Sequence, residues 1–140
     1  MKALIAIDGS THSLRATQFL IRLMNQRGTM EAHVLNVQPG VPYLALLPDD
    51  RQADVERWMH EGGREVSKPA CQMLSAAGVP YQLHVVSGDT AEAIVRCARE
   101  FHCDLIVMGT RGMGAVARLA LGSVATQVIH LSDVPVTLVK

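Results

Sequence analysis

Apolar residues gather into five short runs along this chain, and the segments between the runs repeat at helical spacing. The runs cover residues 2–8, 31–38, 81–86, 105–108 and 134–139. Near-continuous apolar runs of this length suit strands buried on both faces, as in a parallel sheet. After the first run, Leu14, Phe19, Leu20, Leu23 and Met24 recur near the helical period, and Gly28 stands where a C′ glycine would close that helix. Pro39-Gly40-Val41-Pro42 ends the second run, so Tyr43 to Asp50 is expected as a loop, with Asp49-Asp50 opening the next helix. Val55, Trp58 and Met59 supply one apolar face there. Gly62-Gly63 and Pro69 are expected to break or kink that helix before Ala70, Met73, Leu74 and Ala77, and Gly78-Val79-Pro80 ends it. Ser87-Gly88-Asp89 hands the third run to a helix through Ile94, Val95 and Ala98; a last helix is expected over residues 123–131.

Strands alternating with helices predict an α/β fold, an open five-stranded parallel sheet with right-handed crossovers and helices on both faces. No repeat, linker or low-complexity segment divides the chain, so residues 1–140 are expected to form one domain. Ligands of such sheets bind beyond the carboxyl ends of the strands, where the strand order reverses.

The fourth run leads to the most informative stretch. Leu105-Ile106-Val107-Met108 ends at Gly109; Gly112 and Gly114 follow, and Gly122-Ser123 opens the last helix, where the serine is expected as its N-cap. A strand, a glycine-rich loop and a helix start place backbone N–H groups around an anion, and glycine lets a ligand approach the main chain or lets the chain take a positive φ. The pattern is G-x2-G-x9-G-S. No G-x4-G-K-[ST] loop is present. Gly112-Met113-Gly114-Ala115-Val116-Ala117 fits the looser dinucleotide form G-x-G-x-x-A, yet it follows a late strand. No acidic residue ends a strand about 20 residues on, so a mononucleotide is the better match.

Gly109-x2-Gly112-x9-Gly122-Ser123 resembles the ATP-binding motif of the universal stress protein family. Ala3 to Ser10 with Ser13 and Ala16, Gly88 to Ile94, and Val134 to Val139 look like that family's first strand and turn, third βα junction and last strand. The resemblance implies strand order 3-2-1-4-5, in the adenine nucleotide alpha hydrolase-like arrangement, with Asp8 facing Gly109 across the crevice. It implies ATP as ligand, with the adenine near Asn36-Val37 and Val37 using backbone groups. Magnesium or manganese would arrive on the phosphates. The binding residues so implied are Ile7, Asp8, Gly9, Ser10, Val37, Met108, Gly109, Arg111, Gly112, Gly122, Ser123, Val124 and Thr126. It also implies a homodimer in which two last strands meet antiparallel through Val134, Val136 and Leu138, covering an apolar sheet edge.

Composition narrows the partners. Lysine plus arginine equals aspartate plus glutamate at 13 each, so no basic excess suits a nucleic acid or an anionic membrane. No apolar stretch reaches the roughly 18 residues of a membrane span, and no signal peptide is read, so a cytoplasmic protein is expected. Cys71, Cys97 and Cys103 form no CxxC pair and are expected as reduced, buried thiols. The histidines at 12, 33, 60, 84, 102 and 130 show no metal-site spacing.

Asp8 is read as a carboxylate for the ribose or base, against a plain Asp-Gly turn. Arg111 and Arg118 add charge near the loop, and Ser10, Thr11 and Ser13 read equally as a modification site or a helix cap. The loop lacks the placed acid or acidic metal pair of rapid phosphoryl transfer. Together with the resemblance, which implies a homodimeric ATP-binding sensor or regulator in stress response, this makes binding rather than rapid turnover the expectation. A slow ATPase or nucleotidyl transferase, and a nucleotide-free interaction module, remain the alternatives.

Overall fold

The computed structural model describes residues 1–28, 30–113 and 121–140. Gly114, Ala115, Val116, Ala117 and Arg118 of the glycine-rich stretch lie outside the described residues. The elements are β1 (Lys2–Ala6), α1 (Thr11–Arg27), β2 (Glu31–Gln38), α2 (Asp49–Ala76), β3 (Tyr81–Ser87), α3 (Thr90–Glu100), β4 (Leu105–Gly109), α4 (Ser123–Leu131) and β5 (Val136–Val139). The strands form one sheet in the order β3-β2-β1-β4-β5, and every neighbouring pair is parallel.

Strand alternation divides the core into two layers. Ala3, Ile5, Val34 and Val107 face α1 and α2, where they meet Leu20, Met24, Ala70 and Leu74. Leu4, Leu35, Ile106 and Met108 face α3 and α4, where they meet Ile94, Ala98, Ala125 and Val128. Central Ile5 sits beside Val34 on one side and Val107 on the other, which fixes the register of the three inner strands. Gly28, at φ 81, closes α1 as expected. β5 starts at Val136, later than the apolar run. Proline has no N–H to give the ladder, so Pro135 joins only through its carbonyl, which accepts from the Ile106 N–H at 2.9 Å. The Tyr43 to Asp50 loop holds a 3-10 turn over Leu44–Leu46.

Two expectations about α2 are corrected. The helix is continuous from Asp49 to Ala76 through Gly62, Gly63 and Pro69. Pro69 and Glu65 both lie on the exposed side, where water can donate to the carbonyl that the proline leaves free. Gly63 is buried for a packing reason: a Cβ there would stand 2.4 Å from Val85 Cγ1 and 2.8 Å from Asn36 Oδ1. The glycine lets α2 lie close on the sheet. Trp58 does not share the apolar face of Met59; it is exposed, because the buried stripe runs Met59, Gly63, Ser67, Ala70, Cys71, Leu74.

The three cysteines are free and buried, and burial pushes the Cys103 thiol up to about 11. Two histidines, one of β2 and one of β3, pack against Phe101, the residue that follows α3. His33 Nδ1 lies 3.0 Å from His84 Nε2, and both rings stack with Phe101. Among the described residues His33 Nε2 is buried without a partner, 3.8 Å from Glu31 Oε1. Burial lowers the pKa of both rings; Glu31 works against this at His33 while Lys2 adds to it, and His33 lowers His84 further.

Two predictions follow from this packing. Gly63→Ala lowers stability by about 1–3 kcal/mol through overpacking, despite alanine's better helix propensity, whereas exposed Gly62→Ala raises it by up to about 1 kcal/mol. Paired urea melts compare them. The histidine pair makes stability fall with acid: below the ordinary pKa of 6.5 the unfolded chain binds protons that the folded rings refuse. Stability holds above that pH and declines below it, by at most about 1.4 kcal/mol per pH unit for each proton. Urea midpoints at about pH 7.5 and about pH 5 measure the drop, and His84→Gln makes it shallower.

Candidate functional site

β1 feeds α1 onto one face of the sheet while β4 feeds α4 onto the other, so a crevice opens beyond the carboxyl ends of these two strands. It holds a cavity of about 420 Å³. The lining comes from Ala6, Ile7 and Asp8 after β1, Ser13 of α1, Leu35 and Val37 of β2, Thr90 and Ile94 of α3, Met108 to Met113 of β4 and its loop, and Leu121 to Ala125 at the start of α4. All the expected residues except Gly9, Ser10 and Thr126 line it.

Those three support the site from behind. Ser10 is the N-cap of α1, accepting from the Ser13 N–H at 3.1 Å, while the Ser13 hydroxyl returns a bond to the Ser10 carbonyl at 2.9 Å. Both serines are buried, so capping is the role this cluster fills. Gly9 turns the chain at φ 82, a conformation that suits glycine. Thr126 is exposed and its hydroxyl donates to the Gly122 carbonyl at 3.0 Å.

Asp8 makes the turn and also lines the cavity. Its Oδ1 accepts from the Ser10 N–H at 2.9 Å, forming the turn. Its Oδ2 faces the β4–α4 loop, 2.8 Å from where a Cβ on Gly112 would stand. Val37 reaches the cavity, but Asn36 points to the other face of the sheet. The Asn36 amide donates to the Ile7 carbonyl at 2.8 Å and its oxygen accepts from Gln38 at 2.6 Å, so this side chain braces the strand ends.

The glycines work by close approach. Gly109, Gly112 and Gly122 are absent from the positive-φ residues. A Cβ on Gly109 would meet the α1 backbone, 2.9 Å from the His12 carbonyl carbon and 3.1 Å from the Ser13 nitrogen. A Cβ on Gly122 would come 3.3 Å from the Thr110 carbonyl oxygen, to which the Gly122 N–H donates at 2.7 Å. That bond ties the two ends of the loop together.

The N-cap of α4 is Gly122, with Ser123 the first helical residue, which corrects the expected serine cap. Glycine has no side-chain acceptor, and no acidic residue stands in the first turn of α4. Among the described residues the first N–H groups of α4 have no side-chain cap, and Gly122, Ser123 and Val124 line the cavity at the positive end of the helix dipole. By contrast α3 is capped by Asp89, whose carboxylate accepts from the Glu92 N–H at 3.0 Å. The arrangement suits an anion at α4, close to Arg111, and a neutral, largely apolar group against Leu35, Val37 and Ile94.

Ser13, Thr90 and Thr110 were not legible as lining residues, because topology rather than any local pattern brings them in. Leu35 and Ile94 carried a signal: Leu35 lies two residues before Val37 on one strand face, and Ile94 lies one turn after Thr90.

The fold and crevice define an open α/β protein with a parallel sheet in the order β3-β2-β1-β4-β5. Compared with known proteins, residues 1–140 match the model of the universal stress protein family. The chain is 32% identical over 139 residues to universal stress protein MJ0531 of Methanocaldococcus jannaschii, covering 99% of this chain and 81% of that one. It is 33% identical over 138 residues to a Thermus aquaticus universal stress protein, covering 98% and 96%. The solved structure of MJ0577 superposes with a TM-score of 0.86 at 24% identity, over 99% of this chain and 94% of that one. A universal stress protein in complex with cAMP gives 0.75 at 23% identity, covering 100% and 97%. One from Archaeoglobus fulgidus in complex with dAMP gives 0.70 at 22%, covering 100% and 98%. This chain belongs to the universal stress protein family, and its fold is the adenine nucleotide alpha hydrolase-like one.

The glycine geometry separates fold from site. Gly109→Ala drives a methyl into the α1 backbone and lowers stability by about 1–3 kcal/mol. Gly112→Ala meets only the exposed Asp8 carboxylate, which can swing aside, and costs under about 1 kcal/mol. Chemical denaturation of the two variants beside the parent protein checks the order.

Proposed function

We propose that this protein is an ATP-binding universal stress protein, acting in the cytoplasm as a homodimeric sensor or regulator in stress response. The observation that carries the reading is the start of α4: a glycine N-cap with no side-chain cap among the described residues, lining a cavity of nucleoside size. On this reading the Ser123 and Val124 N–H groups and Gly112 hold phosphate oxygens, with Arg111 adding charge. Asp8 Oδ2 accepts from a ribose hydroxyl, and Leu35, Val37, Ile94 and Met108 enclose the base. Any magnesium or manganese comes with the nucleotide, on its phosphates.

Hydrogen bonds to a charged group contribute roughly 1.5–3 kcal/mol each. Three or four of them supply about 5–12 kcal/mol before association costs, and micromolar affinity needs about 8 kcal/mol. Solved relatives of the same fold are complexes with cAMP and with dAMP, which supports an adenine nucleotide as ligand class. Binding is favoured over turnover because, among the described lining residues, Asp8 is the only carboxylate, and one of its oxygens is held by Ser10. The dimer reading rests on β5, a sheet edge whose four residues are each half-buried, beside exposed Ile129 and Leu131.

Calorimetric titration of nucleotide-free protein with Mg-ATP is expected to give micromolar binding. Gly122→Val, whose side chain crowds Thr110 and Arg111, is expected to lose it. Wild-type protein that takes up no heat would end the nucleotide reading. In the same buffer, sedimentation is expected to give twice the chain mass, and Leu138→Asp the mass of one chain.

A further inference from the structure

The wall that β2 and α3 contribute to the cavity consists of Leu35, Val37, Thr90 and Ile94, and Thr90 is the one polar side chain in it. Thr90 is the first residue of α3, yet the cap of that helix is made by Asp89, which already accepts from the Glu92 N–H. The threonine hydroxyl is therefore not used by the cap. Thr90 and Ile94 are four residues apart, so they share one face of α3 and present a hydroxyl above a hydrocarbon floor. Ile94 is fully buried and Thr90 half-buried, and both line the cavity.

Charge bears on the same wall. The helix start of α4, without a side-chain cap among the described residues, and Arg111 attract the anionic part of a ligand, while the α3 wall of the cavity carries no cation. A nucleotide held by its phosphates at α4 has its base against Leu35, Val37 and Ile94. An apolar slot recognises the flat faces of any purine. Discrimination comes from groups that can hydrogen-bond its polar edge, the Val37 main chain on the family resemblance and, among the side chains of this wall, Thr90 alone, because a buried partner left unsatisfied is what penalises the wrong ligand.

We propose that Thr90 is a specificity-determining residue of this site, its hydroxyl accepting a hydrogen bond from the 6-amino group of the adenine ring. The inference deepens the nucleotide reading above and rests on it. Thr90→Val keeps the shape and removes the hydroxyl; Thr90→Ser keeps the hydroxyl. The probes are ATP and purine riboside triphosphate, which is the same molecule without the 6-amino group.

Titration calorimetry of each protein with each probe is the test, with thermal melts to establish that both variants fold. Thr90→Val is expected to bind ATP about fivefold more weakly than wild type, the loss of one neutral hydrogen bond. It is expected to bind the amino-free analogue as wild type does, and Thr90→Ser is expected to stay within about twofold of wild type for ATP. Unchanged ATP affinity in Thr90→Val would overturn the proposal, as would an equal loss for both probes, which would put the contact elsewhere on the nucleotide. Wild-type protein that binds neither probe would instead remove the nucleotide reading itself.

Discussion

The site depends on a reversal of direction in the sheet. β1 sends the chain through α1 to β2 on one side, and β4 sends it through α4 to β5 on the other, with the two helices on opposite faces. No crossover can cover the gap between the carboxyl ends of β1 and β4. Everything with chemical potential in this region, from Asp8 after β1 to the loop after β4, is placed by that gap. The register of Ile5 between Val34 and Val107 then sets how far each strand end reaches into it.

Given the gap, the glycines of G-x2-G-x9-G-S are explained by crowding. Gly109 has the first turn of α1 against it, Gly112 has the Asp8 carboxylate, and Gly122 has the backbone of the loop's own beginning. Each removes a Cβ where two segments must touch. A motif of this kind therefore reports two things at once, the packing of α1 on β4 and the openness of the loop. The sequence pattern cannot apportion them. That is why the spacing led to residues that line one cavity, while of the two reasons given for its glycines, positive φ and close approach to the main chain, the first did not hold at Gly109, Gly112 and Gly122.

The rest of the fold divides along the same line between local and tertiary causes. β2 and α4 were legible to the residue because turn and cap residues bound them closely: Pro39 after Gln38, and Gly122 before Ser123. The long α2 was not, since Gly62-Gly63 and Pro69 are local breakers whose effect is overridden by position. Gly63 is where the helix presses on Val85 and Asn36, and Pro69 sits on the solvent side. Trp58 misled for the complementary reason: an aromatic next to Met59 in sequence is a hundred degrees away around a helix. The hydroxyls of Ser13 and Thr90 were invisible because only the assembled sheet brings α1 and α3 to the same cavity.

Three helices begin near the crevice, and they are not equivalent. α1 receives a cap from the Ser10 hydroxyl, which accepts from the Ser13 N–H, and α3 one from the Asp89 carboxylate, which accepts from the Glu92 N–H. α4 starts at a glycine and, among the described residues, has no side-chain cap. An unsatisfied helix start is costly when withdrawn from water, so it is retained only where water or a ligand supplies the acceptor. Had all three been capped, the cavity would be a neutral apolar cleft; had none been, an anion could lie across it in any orientation. One open helix start facing Arg111, set against an acid-capped start beside Thr90, gives the cavity a direction. That polarity distinguishes it from an ordinary crevice of an open α/β sheet: the α4 end favours an anionic group and the Leu35, Val37 and Ile94 end an uncharged one.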